Sequence, residues 1–323
     1  MPSIKDTNNQ MIQFVFPEYT NNLGTLHGGR LMDWIMLVGT ITSSRIAKGP
    51  TVLGATDSID FINPVYVGEI VILDSWVEYV GKSSMEVIVR VNAENVETGK
   101  RKFITLSTLA FVAVDKDGKP RKVPEKIKPA DKTEEDIYNK AKERRKKRQP
   151  EIDKREEKVI HTVDEAEVTR YKLQTTRTVM PEDAFYGQMM SVGKLLKYTD
   201  ESAGILGMRY VKGNLVTGSL DNLFFYTPIR VGEVITLQAG VTYTGNTSLE
   251  IAIKVYSENL VKETLNHTCT AFLTFVHIDS NGKSKKVPPL KPETPYEIRN
   301  WKEAELRREV RKQRVARYKS GKV

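Results

Sequence analysis

Two segments of the chain are largely apolar over the length of a helix. Gly29–Ile41 and Gly193–Ile205 each begin at a glycine and lack the strict apolar–polar alternation of a half-buried strand. They are long enough for helices of about four to five turns. A helix that is apolar on most sides is buried on most sides. We therefore expect two central, largely buried helices.

After each helix the pattern changes to β-branched and aromatic runs separated by turn residues. The runs are Val52–Ile59, Glu69–Tyr79, Ser84–Asn92 and Phe103–Val114 in the first half, and Val234–Tyr243, Ser248–Ser257 and Thr268–Ile278 in the second. A short strand precedes each helix, at Gln13–Phe16 and at Thr176–Val179. One helix followed by several antiparallel strands predicts the α+β class, with the helix covering one face of the sheet.

The two halves are copies of one domain. A shift of 164 positions aligns them without a gap, from Pro17 with Pro181 to Pro124 with Pro288. A repeat of this length indicates two tandem domains and not a solenoid. We predict a first domain at 1–125, a charged helical extension at 126–165, a second domain at 166–290 and a basic C-terminal helix at 291–323.

The composition is typical of a globular protein in water, with 39% hydrophobic and 28% charged residues. The N-terminus shows no signal-peptide pattern, and no stretch approaches the ~18 apolar residues of a membrane span. The single cysteine, Cys269, excludes an intramolecular disulfide and fits a reducing compartment, so we expect a cytoplasmic protein. One cysteine and four histidines give no metal-ligand spacing, so we expect no metal site.

The net charge of +9 lies in the extensions and not in the repeated cores. Residues 125–160 hold 13 basic and 10 acidic side chains, and residues 296–323 hold 10 basic and 4 acidic ones. The two segments are related, since Thr133-Glu-Glu-Asp-Ile resembles Thr294-Pro-Tyr-Glu-Ile. A solvated helix on the surface is the main interpretation. Contact with nucleic acid or anionic lipid is the minor one, because few aromatic residues are interleaved.

The first copy carries an ordered set of motifs. They are Pro17-Glu-Tyr-Thr-Asn-Asn-Leu-Gly-Thr-Leu-His-Gly-Gly-Arg-Leu-Met, then Asp60-Phe-Ile-Asn-Pro-Val, Val67-Gly-Glu and Ser84-Met-Glu-Val. Together they closely resemble the hotdog-fold acyl-CoA thioesterases, in particular the branch with two hotdog domains on one chain. The resemblance covers roughly residues 10–125 and 174–290. It implies a long helix wrapped by a curved antiparallel sheet in each domain, and an intramolecular pseudo-dimer with clefts at the pairing interface.

The resemblance also implies which positions carry the chemistry. In this family an asparagine before the helix of one partner meets an acidic residue on the helix of the other. The asparagine position is Asn21 in copy one and Phe185 in copy two, whereas the acidic position is Met36 in copy one and Asp200 in copy two. The losses are complementary. We therefore predict one working site, with Asn21 and Asp200, and one degenerate site, with Phe185 and Met36.

Thioester hydrolysis needs an activated water or a carboxylate nucleophile, together with donors for the carbonyl oxygen. We assign Asp200 as general base or nucleophile and Asn21 as the residue that orients the attacking group. The backbone N–H groups of Gly28 and Gly29, helped by the helix dipole, would polarise the carbonyl. His27 is more often a cap or a structural donor than a base. Further candidates are Thr25 and Glu201 at the site, and Ser83, Ser84 and Arg45 for binding coenzyme A.

The sequence thus predicts an acyl-CoA hydrolase that releases a fatty acid and coenzyme A and needs no cofactor beyond the coenzyme A of its substrate. The alternative is an acyl-CoA-binding regulator or scaffold that no longer catalyses. A hotdog dehydratase is disfavoured, because no Asp/His pair stands at that family's spacing. The resemblance further implies a homo-oligomer, a trimer of tandem pseudo-dimers. We expect neither a membrane span nor a nucleic-acid partner.

Overall fold

The computed structural model describes residues 1–153 and 169–320. The first domain contains strand β1 (Asn9–Phe14), helix α1 (Gly28–Ala47), β2 (Thr51–Thr56), β3 (Ile59–Asp60), β4 (Ile70–Val80), β5 (Ser84–Glu94) and β6 (Arg101–Ala113), and helix α2 (Lys132–Asp153) follows it. The second contains β7 (Lys172–Thr178), β8 (Ala184–Tyr186), β9 (Met189–Met190), helix α3 (Val192–Val211), β10 (Asn214–Leu220), β11 (Leu223–Phe224), β12 (Val234–Thr244), β13 (Ser248–Asn259) and β14 (Thr264–Ile278), and helix α4 (Pro295–Lys319) follows it.

Each domain is one long helix packed against a six-stranded antiparallel sheet. The strand orders are β1-β4-β5-β6-β2-β11 and β3-β10-β14-β13-β12-β7. The strand at one end of each sheet belongs to the other domain, since β11 pairs with β2 and β3 pairs with β10. The α+β prediction of two tandem hotdog domains that pair within the chain is therefore confirmed.

Helices α1 and α3 are longer than the apolar runs that predicted them. Each spans 20 residues and ends at a lysine in the left-handed conformation, Lys48 with φ 52° and Lys212 with φ 53°. Helix α1 continues beyond Ile41, the last residue of the apolar run, because Ile46 and Ala47 are also buried and extend its packed face by a further turn. The helix contacts strands β4, β5, β6 and β2 of its own sheet.

The predicted strand Val52–Ile59 is divided in two. Strand β2 stays in the first sheet, whereas β3 crosses to the second, where Ile59 pairs with Leu220 and Asp60 with Ser219. Local periodicity could not show this division, because it depends on a partner in the other domain. The strand before α1 begins at Asn9, four residues ahead of the predicted start.

The two charged helices pack on the sheets in equivalent ways. Tyr138 of α2 contacts Tyr79, with ring centroids 5.0 Å apart, and Trp301 of α4 contacts Tyr243 at 4.4 Å. These pairs relate the helices by a shift of 163 positions. The predicted correspondence of Thr133 with Thr294 implies a shift of 161 positions, so it was wrong by two positions. Residues 154–168 of the predicted extension, with its boundary to the second domain, lie outside the described residues.

Within the described residues, no helix is both long enough and apolar enough to cross a membrane.

Candidate active site

The starts of helices α1 and α3 approach each other too closely for side chains. A Cβ atom on Gly29 would lie 3.0 Å from the Cα of Lys197 and 3.1 Å from the Cβ of Asp200. On the other side of the pseudo-twofold axis, a Cβ on Gly193 would lie 3.0 Å from the Cα of Asp33. Glycine is required at both crossings. The crossing brings the first turn of α1 directly against Asp200 of α3.

Asp200 is buried, with 1% of its surface exposed, and contacts both domains. Its Oδ2 accepts a 2.8 Å hydrogen bond from the backbone N–H of Gly29, and its Oδ1 accepts one of 2.9 Å from the hydroxyl of Thr217 on β10. The Nδ1 of His27 lies 3.2 Å from Oδ2. Two hydrogen bonds thereby fix the orientation of the carboxylate, and the His27 ring lies beside it.

Burial raises the pKa of Asp200 above that of an ordinary aspartate. The neighbouring His27, the Thr217 hydroxyl and the Gly29 amide act in the opposite direction, and Glu201 adds to the increase. A buried carboxylate with a raised pKa and few, well-placed donors is typical of a general base.

Asn21 lies in the turn before α1 and lines the same cavity as Asp200. Its Oδ1 accepts hydrogen bonds from the backbone N–H of Leu23 at 2.9 Å and of Thr25 at 3.2 Å. These bonds hold the amide in place, and its Nδ2 has no hydrogen-bond partner among the described residues. The structure thus brings Asn21 and Asp200 to one cleft, from different domains.

Gly28 and Gly29 at the start of α1 differ in whether their N–H groups are free. The Gly29 N–H is engaged by Asp200 and is therefore not free to bind a carbonyl oxygen. The Gly28 N–H donates no hydrogen bond within the described part of the chain. A Cβ on Gly28 would lie 2.5 Å from the Thr217 side chain, so only glycine fits between the two domains here.

The cleft, which we call the active cleft, is a cavity of about 780 Å³. Its polar end holds Asn21, His27 and Asp200, and its walls include the apolar side chains of Leu31, Phe61, Met208, Leu215 and Phe275. Polar groups at one end of a largely apolar pocket suit a ligand with a reactive head and an apolar chain.

The pseudo-twofold axis relates this cavity to a second one, which we call the mirror cleft. It has volumes of about 160 Å³ and 40 Å³ in two adjoining parts, and Met36 and Phe185 both line the smaller part. Leu53 stands where the active cleft has Thr217, and Ser191 and Val192 stand where it has His27 and Gly28. Met36, Leu53 and Phe185 have no group that could take a proton, so the mirror cleft lacks the hydrolytic set.

Three further predicted residues lie at or beside the active cleft. His27 is the N-cap of α1, but its side chain makes no capping hydrogen bond and contacts Asp200 instead. Of the two structural roles expected for His27, capping is therefore not seen, and the role of a structural donor stays a prediction. Thr25 lines the cavity, and its buried hydroxyl has no partner among the described residues. Glu201 points away and pairs with Lys197 at 3.6 Å.

The residues predicted to bind coenzyme A do not line the active cleft. Ser84 accepts a 3.0 Å hydrogen bond from Arg145 of α2, and Ser83 pairs through its carbonyl with Ala113. Arg45 lies in the last turn of α1 and contacts Asn9. The cleft wall instead includes Gly282 and Ser284 of the second domain.

Thr217 is the functional residue that sequence reasoning missed. The repeat carried a signal, since the position is Leu53 in the copy without the acid and Thr217 in the copy with it. The residue is 17 positions from Asp200, and only the fold shows that strand β10 returns past that carboxylate.

Among the described residues, no group of three or more His, Cys, Asp or Glu side chains could hold a metal ion.

Fold and site together define a tandem hotdog thioesterase. The family model of the Thioesterase superfamily matches residues 23–100 and 187–264. The human cytosolic acyl coenzyme A thioester hydrolase is 30% identical over 304 residues, which are 90% of this chain and 80% of that protein. A Bacillus subtilis protein named an uncharacterized acyl-CoA thioester hydrolase is 44% identical over 123 residues, which are 38% of this chain and 70% of that protein.

A solved structure of an acyl-ACP thioesterase from Bacteroides thetaiotaomicron matches with a TM-score of 0.53 at 13% identity, and covers 84% of this chain and 99% of that one. It supports the fold. From its likeness to the human protein along most of both lengths, the chain belongs to the family of acyl-CoA thioester hydrolases.

Proposed function

We propose that this chain hydrolyses acyl-CoA thioesters at a single site built from both domains. One observation carries the proposal: Asn21 of the first domain and the buried Asp200 of the second line one cavity, and their repeat equivalents Phe185 and Met36 line another. The relatives' names as acyl-CoA thioester hydrolases support the substrate class.

Each step of the reaction has a group to perform it. Asp200 removes a proton from a water molecule that the Asn21 amide orients, and the water oxygen forms a bond to the thioester carbon. The carbonyl oxygen becomes an oxyanion, which the free N–H of Gly28 at the helix start stabilises. The carbon–sulfur bond then breaks, the thiolate of coenzyme A takes up the proton, and a fatty acid is released.

The test removes each half of the active pair and each half of the degenerate pair. Asp200→Asn and Asn21→Ala should each lower kcat, with Asp200→Asn losing about 10²–10⁴-fold as expected for a general base. Met36→Leu and Phe185→Leu are matched controls and should change kcat by less than about twofold. Release of free thiol from acyl-CoA measures the rates. Full activity of Asp200→Asn would contradict the assignment.

Asp200 could alternatively attack the carbonyl carbon itself and form an anhydride. A single turnover in ¹⁸O-labelled water tests for an anhydride that is hydrolysed at its aspartyl carbon. Direct attack by water puts the label in the fatty acid, whereas an anhydride that is hydrolysed at its aspartyl carbon puts it in the Asp200 carboxylate. Mass spectrometry of the product and of the peptide containing Asp200 measures this.

An acyl-CoA-binding regulator without catalysis remains the second candidate function, and the degenerate mirror cleft is the observation behind it. Tight binding of acyl-CoA without thiol release from the wild-type protein would favour it over hydrolysis.

We also propose a cytosolic location, which the names of the human, mouse and rat relatives support. The resemblance implies assembly of three chains. Light scattering should then give three times the chain mass of 36.6 kDa.

A further inference from the structure

The mirror cleft has lost its catalytic groups but has not been filled. Its main part measures about 160 Å³ and is lined by Val52 and Val112 of the first domain and by Met189, Val192, Leu195 and Phe225 of the second. A cavity of about 150 Å³ with such a lining is large enough to hold benzene. The mirror cleft therefore has room for an apolar group of about six carbon atoms.

The rim of the mirror cleft carries an arginine where the active cleft has a tyrosine. Arg230 stands at the rim, where its repeat equivalent at the active cleft is Tyr66. Its guanidinium lies 3.4 Å from the position of a Cβ on Gly118, which lines the cleft. Within the described residues, no carboxylate forms an ion pair with Arg230.

Arg230 also narrows the opening. Its Nη2 donates a 2.9 Å hydrogen bond to the carbonyl oxygen of Asp117, so a second-domain side chain is tied to a first-domain hairpin across the rim. The Met189 sulfur lies 3.8 Å from the Cβ position of Gly118 at the same place. Arg230 and Met189 narrow the mouth, and a cavity of about 160 Å³, against about 780 Å³ for the active cleft, has no room for the bulky coenzyme A part of an acyl-CoA.

We propose that the mirror cleft binds a free short-chain carboxylic acid of about six carbons. The apolar chain occupies the groove, and the carboxylate pairs with Arg230 at the rim. A free acid has no thioester bond to cleave, so it binds and dissociates unchanged. The proposal rests on the proposed hydrolysis only for the source of the acid, which would be the reaction's own product.

The experiment measures hexanoate binding by saturation-transfer NMR, in a variant whose active cleft is blocked. Val112 and Val276 are repeat equivalents that line the mirror and the active cleft, respectively. Val276→Trp should still bind hexanoate saturably, whereas Val112→Trp/Val276→Trp should not. Adding Arg230→Gln to Val276→Trp should weaken binding about tenfold, and Arg230→Lys should weaken it less because the charge is kept.

Two results would overturn the proposal: no saturable binding to Val276→Trp, or equal binding to Val276→Trp and to the double variant. Arg230→Gln provides a test that adds no bulk to the core, should a tryptophan variant fail to fold by circular dichroism. The measurement needs no turnover, so it separates failure of this proposal from failure of the proposed hydrolysis. Competition by hexanoyl-CoA equal to that by hexanoate would also contradict the exclusion of coenzyme A.

Discussion

Neighbouring groups and burial shift the pKa of Asp200 in opposite directions. Removal from water favours the neutral acid, whereas the donors Gly29 and Thr217 and the ring of His27 favour the carboxylate. A base acts only when it is ionised, so activity should fall as the pH decreases through the pKa of Asp200. The raised pKa places this loss at a higher pH than an ordinary aspartate would give.

Thr217 should set the pH at which activity is lost on the acidic side, that is, the acidic limb of the pH profile. Its hydroxyl lowers the pKa of Asp200, so Thr217→Val should raise that pKa further and move the acidic limb of kcat/KM to higher pH. The rate on the plateau should fall less than in Asp200→Asn, because the base is still present. Leu53→Val, at the repeat equivalent, is the control and should leave the profile in place. A lower plateau rate with the acidic limb at an unchanged pH would show that Thr217 contributes packing and does not set the pKa of Asp200.

At the scale of elements, the charged helices are attached to the sheets through buried ion pairs. Arg148 of α2 bonds to Glu86 at 2.7 Å and to Asp57 at 2.9 Å. Arg311 of α4 bonds to Asp221 at 2.6 Å, the repeat equivalent of Asp57. The main sequence interpretation, a solvated surface helix, describes the outer faces of these helices but not these buried arginines.

Breaking one of these pairs should be costly. Arg148→Met leaves Glu86 buried at 1% exposure without its partner, and the loss of unfolding free energy should be about 3 kcal/mol. Arg148→Met/Glu86→Leu should recover part of it, because no buried charge remains. The exposed pair Lys312–Glu309 is the comparison, and Lys312→Met should cost far less than Arg148→Met because both partners remain in water. Urea unfolding measures all three. Equal costs for Arg148→Met and Lys312→Met would contradict the burial argument.

The elements that the sequence predicted are those with a local cause. The apolar runs gave α1 and α3, the motifs gave the family, and the repeat gave the complementary pair Asn21 and Asp200. The elements that it missed depend on partners far along the chain. Strand β3 forms only against Ser219 and Leu220, and Thr217 acquires its role only where β10 passes Asp200. A local pattern has no information on such contacts.

At the scale of the whole molecule, the two clefts differ in a few side chains on one framework. Restoring those side chains should therefore restore chemistry. In an Asp200→Ala background, the set Met36→Asp, Leu53→Thr, Phe185→Asn and Val192→Gly is combined with Arg230→Tyr, which replaces the arginine at the mouth by its repeat equivalent. This variant should raise thiol release from acetyl-CoA at least about tenfold, since a general base contributes about 10²–10⁴-fold. Acetyl-CoA is chosen because the mirror cleft is small.

The matched control carries Met36→Asn in place of Met36→Asp. Asparagine has the same shape as aspartate at position 36 but cannot act as a base. The rate of thiol release should therefore stay at that of the Asp200→Ala background. A folded set with no gain over this control would show that the framework of the mirror cleft, and not only its side chains, has diverged.

The exchange of end strands between the sheets also has a consequence during synthesis. Strand β11, which completes the first sheet beside β2, follows Thr56 by more than 160 residues. At about 5–20 residues per second, the ribosome needs on the order of 10–30 seconds to make that stretch. Throughout this time the nascent first domain presents an open edge at Ala55 and Thr56, and unpaired edges invite aggregation. We therefore expect this chain to depend on chaperones most while its second half is still being translated.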